Sequence, residues 1–222
     1  MSIAKQLQEI RNELPAGVRL VAVSKFHSVD AILEAYNAGQ RFFGESKVQE
    51  LTGKYDALPK DIDWHFIGHL QTNKVKYIVP FVAMIHGIDS VKLLEEIDKN
   101  AEKINRKIKV LLQIHIATEE TKFGFNIEEC REFLTSGKQK DFKHIEICGL
   151  MGMATFTENE EIIRSEFKTI ADLFNELKQG TLSSDEKFNE LSIGMSDDYR
   201  IAIEAGSSLV RIGSKIFGDR IY

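Results

Sequence analysis

The chain is poor in the residues that staple, kink or ligate. Among 222 residues there are two cysteines, three prolines and one tryptophan. Cys130 and Cys148 stand at no metal-ligand spacing and are too few for a disulfide framework, so a reducing compartment suits them. No segment reaches the ~20 apolar residues that a membrane-spanning helix needs. The amino terminus, Met1 to Leu7, has no signal-peptide core, and a cytoplasmic location is the expectation. Positive charge is not in excess either: 29 Lys and Arg against 34 Asp and Glu leave a formal charge of -5. That balance argues against a broad phosphate-binding surface and hence against nucleic acid as a partner, while a local cationic pocket stays open. What is present, 43% hydrophobic and 28% charged residues, is the composition of an ordinary folded protein.

Helical and strand periodicities alternate along the chain. Ile3, Leu7, Ile10 and Leu14 mark an amphipathic helix ending before Pro15-Ala16-Gly17. Strands are expected at Leu20–Ser24, Arg41–Gly44, Trp64–Gly68, Val82–His86, Lys109–Ile116, Ile145–Leu150, Asn189–Ile193 and Ser208–Ile212. Helices are expected from Val29 to Gly39, from Ser90 to Asn105, around Ile127 to Leu134, through Phe167 to Leu177, and briefly from Asp197 to Ala205. Strands separated by helices favour parallel pairing, because each parallel connection needs a crossover. Eight such units predict an α/β fold, a single (β/α)8 TIM barrel with an extra N-terminal helix, spanning 1-222 as one domain; an open doubly wound sheet is the alternative. No internal repeat is present, and Gln179 to Asp185 reads as a surface loop.

Lys25 ends the apolar run of the first strand. Functional groups of such barrels gather at the carboxyl ends of the strands, where a lysine among desolvating neighbours can form a Schiff base with a carbonyl compound. A lysine that snorkels into water is the other reading. Ser192-Ile193-Gly194-Met195-Ser196-Asp197-Asp198 leaves the seventh strand through a glycine and enters a helix, with Ser196 as its cap and backbone N–H groups facing the pocket. Arg211-Ile212-Gly213-Ser214 repeats the pattern after the eighth. Loops at these two positions commonly hold phosphate, so together with Lys25 they favour a phosphate-bearing aldehyde, with pyridoxal 5′-phosphate (PLP) the obvious candidate; strand-to-helix turns with ordinary serine caps are the other reading. An arginine such as Arg211 at the ring nitrogen can only donate to an unprotonated nitrogen, which supports strong carbanion chemistry poorly.

These segments resemble the YggS/PROSC family of pyridoxal phosphate homeostasis proteins, related in fold to the amino-terminal barrel of alanine racemase. The resemblance rests on Val21-Ala22-Val23-Ser24-Lys25, Phe43-Gly44-Glu45, Val48-Gln49-Glu50, Trp64-His65-Phe66-Ile67-Gly68, Leu70-Gln71-Thr72-Asn73-Lys74, Gly149-Leu150-Met151, Gly194-Met195-Ser196-Asp197-Asp198 and Val210-Arg211-Ile212-Gly213. It implies that Lys25 carries PLP, that Met195, Ser196, Gly213 and Ser214 hold its phosphate, and that Arg211 faces its nitrogen. Ser46 stands where the family usually has asparagine, which would shorten or remove one cofactor contact, and Ser214 replaces a usual threonine. The resemblance also implies buffering or delivery of PLP, with apo PLP-dependent enzymes as recipients and no catalysis. A stand-alone amino-acid racemase is the alternative. It needs a second base on the opposite ring face, supplied in racemases by an added domain; the barrel ending at Tyr222 leads to the expectation of a non-catalytic monomer.

Other clusters carry less. His65 and His69 share an interval that makes a zinc pair only on a helix. His86 and His115 either line the pocket or are satisfied core residues. Lys122 is either a mobile second amine or a solvated loop residue. Asp197 and Asp198 read as helix-start carboxylates favouring the dipole, and Glu128, Glu129 and Glu158 to Glu161 as solvated faces.

Overall fold

Serine and asparagine caps set where several helices start. The computed structural model describes residues 2–117 and 123–218. Helix α1 (Ile3–Glu13) begins where Ser2 Oγ accepts from Lys5 N. Ser28 does the same for α2 (Val29–Asn37), accepting from Ala31 N at 3.2 Å. A reciprocal capping box between Asn126 and Glu129 opens α6 (Ile127–Thr135), satisfying donors that a helix start leaves unpaired. Between these helices lie β1 (Arg19–Val23), β2 (Phe42–Glu45), α3 (Val48–Ala57), β3 (Asp63–Phe66), a 3-10 turn with α4 (Val75–Ile78), β4 (Met84–Ile88), α5 (Val91–Glu102) and β5 (Ile108–Gln113). After α6 come β6 (Ile145–Met151), α7 (Glu160–Gln179), β7 (Glu190–Ser192), α8 (Tyr199–Glu204), β8 (Leu209–Ile212) and α9 (Ser214–Phe217).

The eight strands pair in parallel in the order β7-β6-β5-β4-β3-β2-β1-β8. The ring closes between the two edges through Ser208 N to Leu191 O and Arg211 N to Gly194 O, both 3.0 Å. The expected barrel is therefore observed, and the open sheet is not. Closure leaves no exposed edge to template aggregation. The last strand returns beside the first, with Val21 opposite Arg211.

Strand alternation divides the core in two. Val21, Met84, Leu111, Cys148, Met151 and Leu209 form one packed group inside the barrel. Trp64, Phe43, Phe66, Phe167 and their neighbours form the larger layer between sheet and helices. The interior is not wholly apolar: His65, His86, Ser192 and Arg211 are all buried there. Helix α1 packs beside α2 and α9, and Tyr199 and Arg200 of α8 both donate to the Glu13 carboxylate. Among the described residues β8 is followed by the four-residue α9, against which α1 packs.

Element limits depart from the sequence expectation in instructive places. β3 stops at Phe66 and β4 runs Met84–Ile88 rather than from Val82. β5 stops at Gln113, beyond which Ile114 makes an isolated bridge to Phe125. Helix α7 starts well before Phe167, because Asn159 caps it and its first turns bury just one apolar residue, Ile163, beside the buried Glu166. Helix α3 was not expected at all, since its two buried positions are Leu51 and Lys54, and a lysine on the core face breaks the apolar period. Among the described residues no helix is long and apolar enough to cross a membrane.

Candidate functional site

The end of β1 is held from below by buried charge. Ser24 is fully buried; its N–H donates to Gly44 O at 3.0 Å and its hydroxyl to Glu45 Oε1 at 2.6 Å. Lys54 Nζ reaches up from α3 and donates to Ser24 O and Glu45 Oε1, each at 2.8 Å, and to Glu50 Oε1 at 2.6 Å. Glu50 Oε1 also accepts from Phe26 N at 2.7 Å. Phe26 has φ +68°, a left-handed conformation that non-glycine residues adopt at a cost. Two carboxylates and one ammonium thus brace the residues on either side of Lys25. Desolvation pushes the Glu45 carboxyl above its ordinary range, against the pull of Lys54, and Glu45 Oε2 finds no partner among the described residues.

Lys25 lines a cavity of about 270 Å³ at the carboxyl ends of the strands. Met195, Ser196, Arg211, Gly213 and Ser214 line the same cavity, as do Val23, His27, Ile67, Met153 and Phe156. Six of the seven expected site residues are thereby brought together. Ser46 is the exception: it is not in the lining, and its carbonyl instead sits against Gly68, where a Cβ would come within 2.3 Å of it. Lys122 lies outside the described residues.

The two loops differ from expectation in how they are built. Ser196 does not cap α8; Asp198 holds the cap position without a side-chain cap bond. Ser196 Oγ accepts from Gly213 N at 3.2 Å and so ties the loop after β7 to the loop after β8. Asp198 stands at the start of α8, where a carboxylate was expected. It is buried, and its Oδ1 accepts from Met195 N at 2.5 Å. Desolvation pushes the Asp198 carboxyl up, opposed by that amide and by the charge of Arg211. Met195 and Gly213 thus present no free amide to the cavity. The backbone N–H groups of Ser196 and Ser214 find no acceptor among the described residues, so two donors are left open beside the cavity. Gly194, with φ +92°, permits the turn: a Cβ there would stand 2.5 Å from Ala202 Cβ.

Arg211 is buried, yet it borders the cavity. Nη1 donates to Ser192 O at 2.7 Å and Ser192 Oγ at 2.6 Å, and Nη2 donates to Gly152 O at 3.0 Å. Of five guanidinium N–H donors, two are left over. Burial pushes its pKa down to about 10, with Asp198 opposing, so it is a cation at neutral pH. His86 resolves as an interior residue: fully buried, bonded to His65 and Ser192. His115 lines a neighbouring cavity of about 300 Å³ that shares Met153, Phe156 and Met195 with the first. Sequence reasoning missed Lys54, Ser192 and Gly152. Only the Glu50–Lys54 spacing on one helix face was a signal, and it reads equally as a surface pair.

A parallel eight-stranded barrel with a lysine after β1, an arginine on β8 and loops with open amides after β7 and β8 defines an alanine racemase-type barrel. The chain belongs to the family described as alanine racemase, N-terminal domain, which matches residues 1–221. Its relatives include the pyridoxal phosphate homeostasis protein of Aquifex aeolicus, 39% identical over 205 residues and covering 92% of this chain and 88% of the other. The protein of the same name from Synechocystis is 39% identical over 218 residues, 96% of each. PipY of Synechococcus elongatus PCC7942, solved without PLP and with PLP bound, superimposes with TM-scores of 0.91 and 0.87 at 35% identity, over 97% of this chain and all of that one.

Proposed function

We propose that this chain holds pyridoxal 5′-phosphate through Lys25 and serves its homeostasis in the cytoplasm as a monomer, buffering or delivering the cofactor without turning over a substrate. The observation that carries the reading is the convergence on one cavity of the Lys25 amine, the Arg211 cation and the open amides of Ser196 and Ser214. That donor set fits a phosphate-bearing pyridine aldehyde. The names of the relatives and the PLP-bound form of PipY support it.

Bound PLP supplies an aldehyde that condenses reversibly with primary amines and a ring that withdraws electrons from the adduct. Lys25 presents the amine, and the Glu45–Lys54–Glu50 cluster below it fixes the backbone from which the side chain projects. Ser196 and Ser214 would hold the phosphate through N–H and hydroxyl groups, their loops being tied together by the Gly213–Ser196 bond. Arg211, which borders the cavity, would offer its remaining N–H donors to the ring nitrogen. A guanidinium that stays protonated gives the nitrogen a hydrogen bond but no proton, which keeps the ring a weak electron sink and suits holding over carbanion chemistry.

The test is absorbance. Purified protein with PLP gains a visible band that borohydride abolishes, the reduced adduct mapping to Lys25, and Lys25→Ala does not gain it. A colourless protein with added PLP overturns the reading. Arg211→Ala shifts the band more than it weakens phosphate binding; wholesale loss of cofactor with an unchanged spectrum refutes the role given to Arg211. Clear racemisation of a single-enantiomer amino acid by clean protein refutes the absence of turnover.

A further inference from the structure

The barrel interior contains a hydrogen-bonded chain that runs from the middle of the sheet to the cavity. His65 Nδ1 lies 2.8 Å from His86 Nε2, His86 Nδ1 lies 3.1 Å from Ser192 Oγ, and Ser192 Oγ lies 2.6 Å from Arg211 Nη1. Four strands contribute, β3, β4, β7 and β8, and none of the four side chains is more than 4% exposed. Polar groups this deep are costly unless each is paired.

The direction of every proton in the chain follows from its end. Arginine has donors only, so Ser192 Oγ accepts from Arg211, and because the hydroxyl proton has no acceptor among the described residues other than His86 Nδ1, it is donated there. His86 Nδ1 is therefore bare. Its proton sits on Nε2 and is donated to His65 Nδ1, which is bare in turn, and His65 carries its own proton on Nε2. Protonating His65 on Nδ1 would set an N–H against the His86 donor, and protonating His86 on Nδ1 would take from the Ser192 hydroxyl proton its acceptor. The charged groups nearby oppose it too: Arg19 and Lys109 act on His65, and Arg211 and Arg19 on His86. Burial holds the His65 pKa down at about 3, and that of His86 well below its ordinary value.

We propose that Ser192 and His86, backed by His65, are positioning residues that hold the Arg211 guanidinium in one plane at the edge of the cavity, and that Arg211 in return locks both histidines as neutral Nε2–H tautomers. Ser192 binds Nη1 through both its carbonyl and its hydroxyl, while Gly152 O holds Nη2. The guanidinium is fixed at both forks, and its uncommitted donors keep one direction. The cofactor half of the inference rests on the PLP reading above; the tautomer half rests on geometry alone.

Side-chain ¹⁵N–¹H correlation spectra of the cofactor-free protein test the lock directly. His65 and His86 are expected to show the Nε2–H pattern, unchanged between pH 8 and pH 5. An Nδ1–H tautomer at either residue, or titration of either within that range, overturns the proposal even if PLP binds normally. Ser192→Ala is expected to release His86 into a mixture of tautomers and, with PLP added, to shift the absorbance band relative to the wild type. A folded Ser192→Ala protein that keeps the single His86 tautomer and the wild-type band refutes the positioning role. A wild-type protein that shows the tautomers but binds no PLP refutes the cofactor reading and leaves the lock standing.

Discussion

Replacing Lys54 with methionine leaves two carboxylates facing each other beneath Lys25 without their cation. The Lys54 side chain is 7% exposed, that of Glu45 0% and that of Glu50 22%. Glu50 can turn to water, whereas Glu45 keeps only the Ser24 hydroxyl. Breaking a buried pair by removing one partner costs about 3–5 kcal/mol. For a chain of this length that corresponds to a fall in Tm on the order of 10 °C.

The pH dependence has a definite sign. Burial raises the Glu45 pKa in the folded state and Lys54 pulls it back, so Lys54→Met raises it further. A carboxyl with a raised folded pKa binds protons more tightly in the native state. Its contribution is fully present below the unfolded value of about 4.3 and is lost as pH rises through the folded pKa. The deficit of the variant is therefore largest near pH 8 and shrinks towards pH 5. Urea unfolding at the two pH values, with m unchanged, measures it. Adding Glu45→Gln to Lys54→Met removes the stranded charge and recovers much of the loss. A single-variant deficit below about 1 kcal/mol, of the size seen for exposed pairs, or one that is equal at both pH values, would refute the reasoning.

Three further outcomes follow from the same geometry. Gly213→Ala places a Cβ 3.0 Å from Val23 O and 3.2 Å from Val23 Cβ; overpacking of this kind costs about 1–3 kcal/mol, measurable by thermal unfolding, and PLP affinity should fall with it. Cys130 and Cys148 are buried, with thiols that desolvation pushes up to about 12, so a thiol reagent at pH 8 should leave both unmodified in the folded protein and modify both in denaturant. Glu13 is held below the usual carboxylate range by the Tyr199 hydroxyl and Arg200. Glu13→Gln should therefore lose a little stability at neutral pH, within the ~0.2–1 kcal/mol of exposed pairs, and the difference from wild type should vanish as pH falls through that depressed pKa.

Local signals carried the architecture well because they are properties of short segments. The aliphatic run before Lys25 and the glycines after β7 and β8 each announce a strand end, and the structure gathers them around one cavity. Illegible features were those decided by partners distant in sequence. Whether Lys54 is a surface or a core residue depends on Glu45 and Ser24, which only the β1–β2 pairing brings beneath it. Ser196 has the chemistry of a cap, but Asp198 holds the cap position and the Ser196 hydroxyl is turned to Gly213. Arg211 was legible as a cation near a loop; that Ser192 and Gly152 bind it and His86 backs Ser192 was not, because they come from β7, the end of β6 and the middle of β4.

The pairing of β1 with β8 places Lys25 and Arg211 at one cavity from opposite ends of the chain. On the ribosome the first of them emerges long before the second exists, and every loop between must be closed before the two meet. Ligand binding by this fold therefore reports completion: a partly made barrel has the amine without its counterpart. A ligand that recognises only the closed ring adds its binding free energy to that last step of assembly.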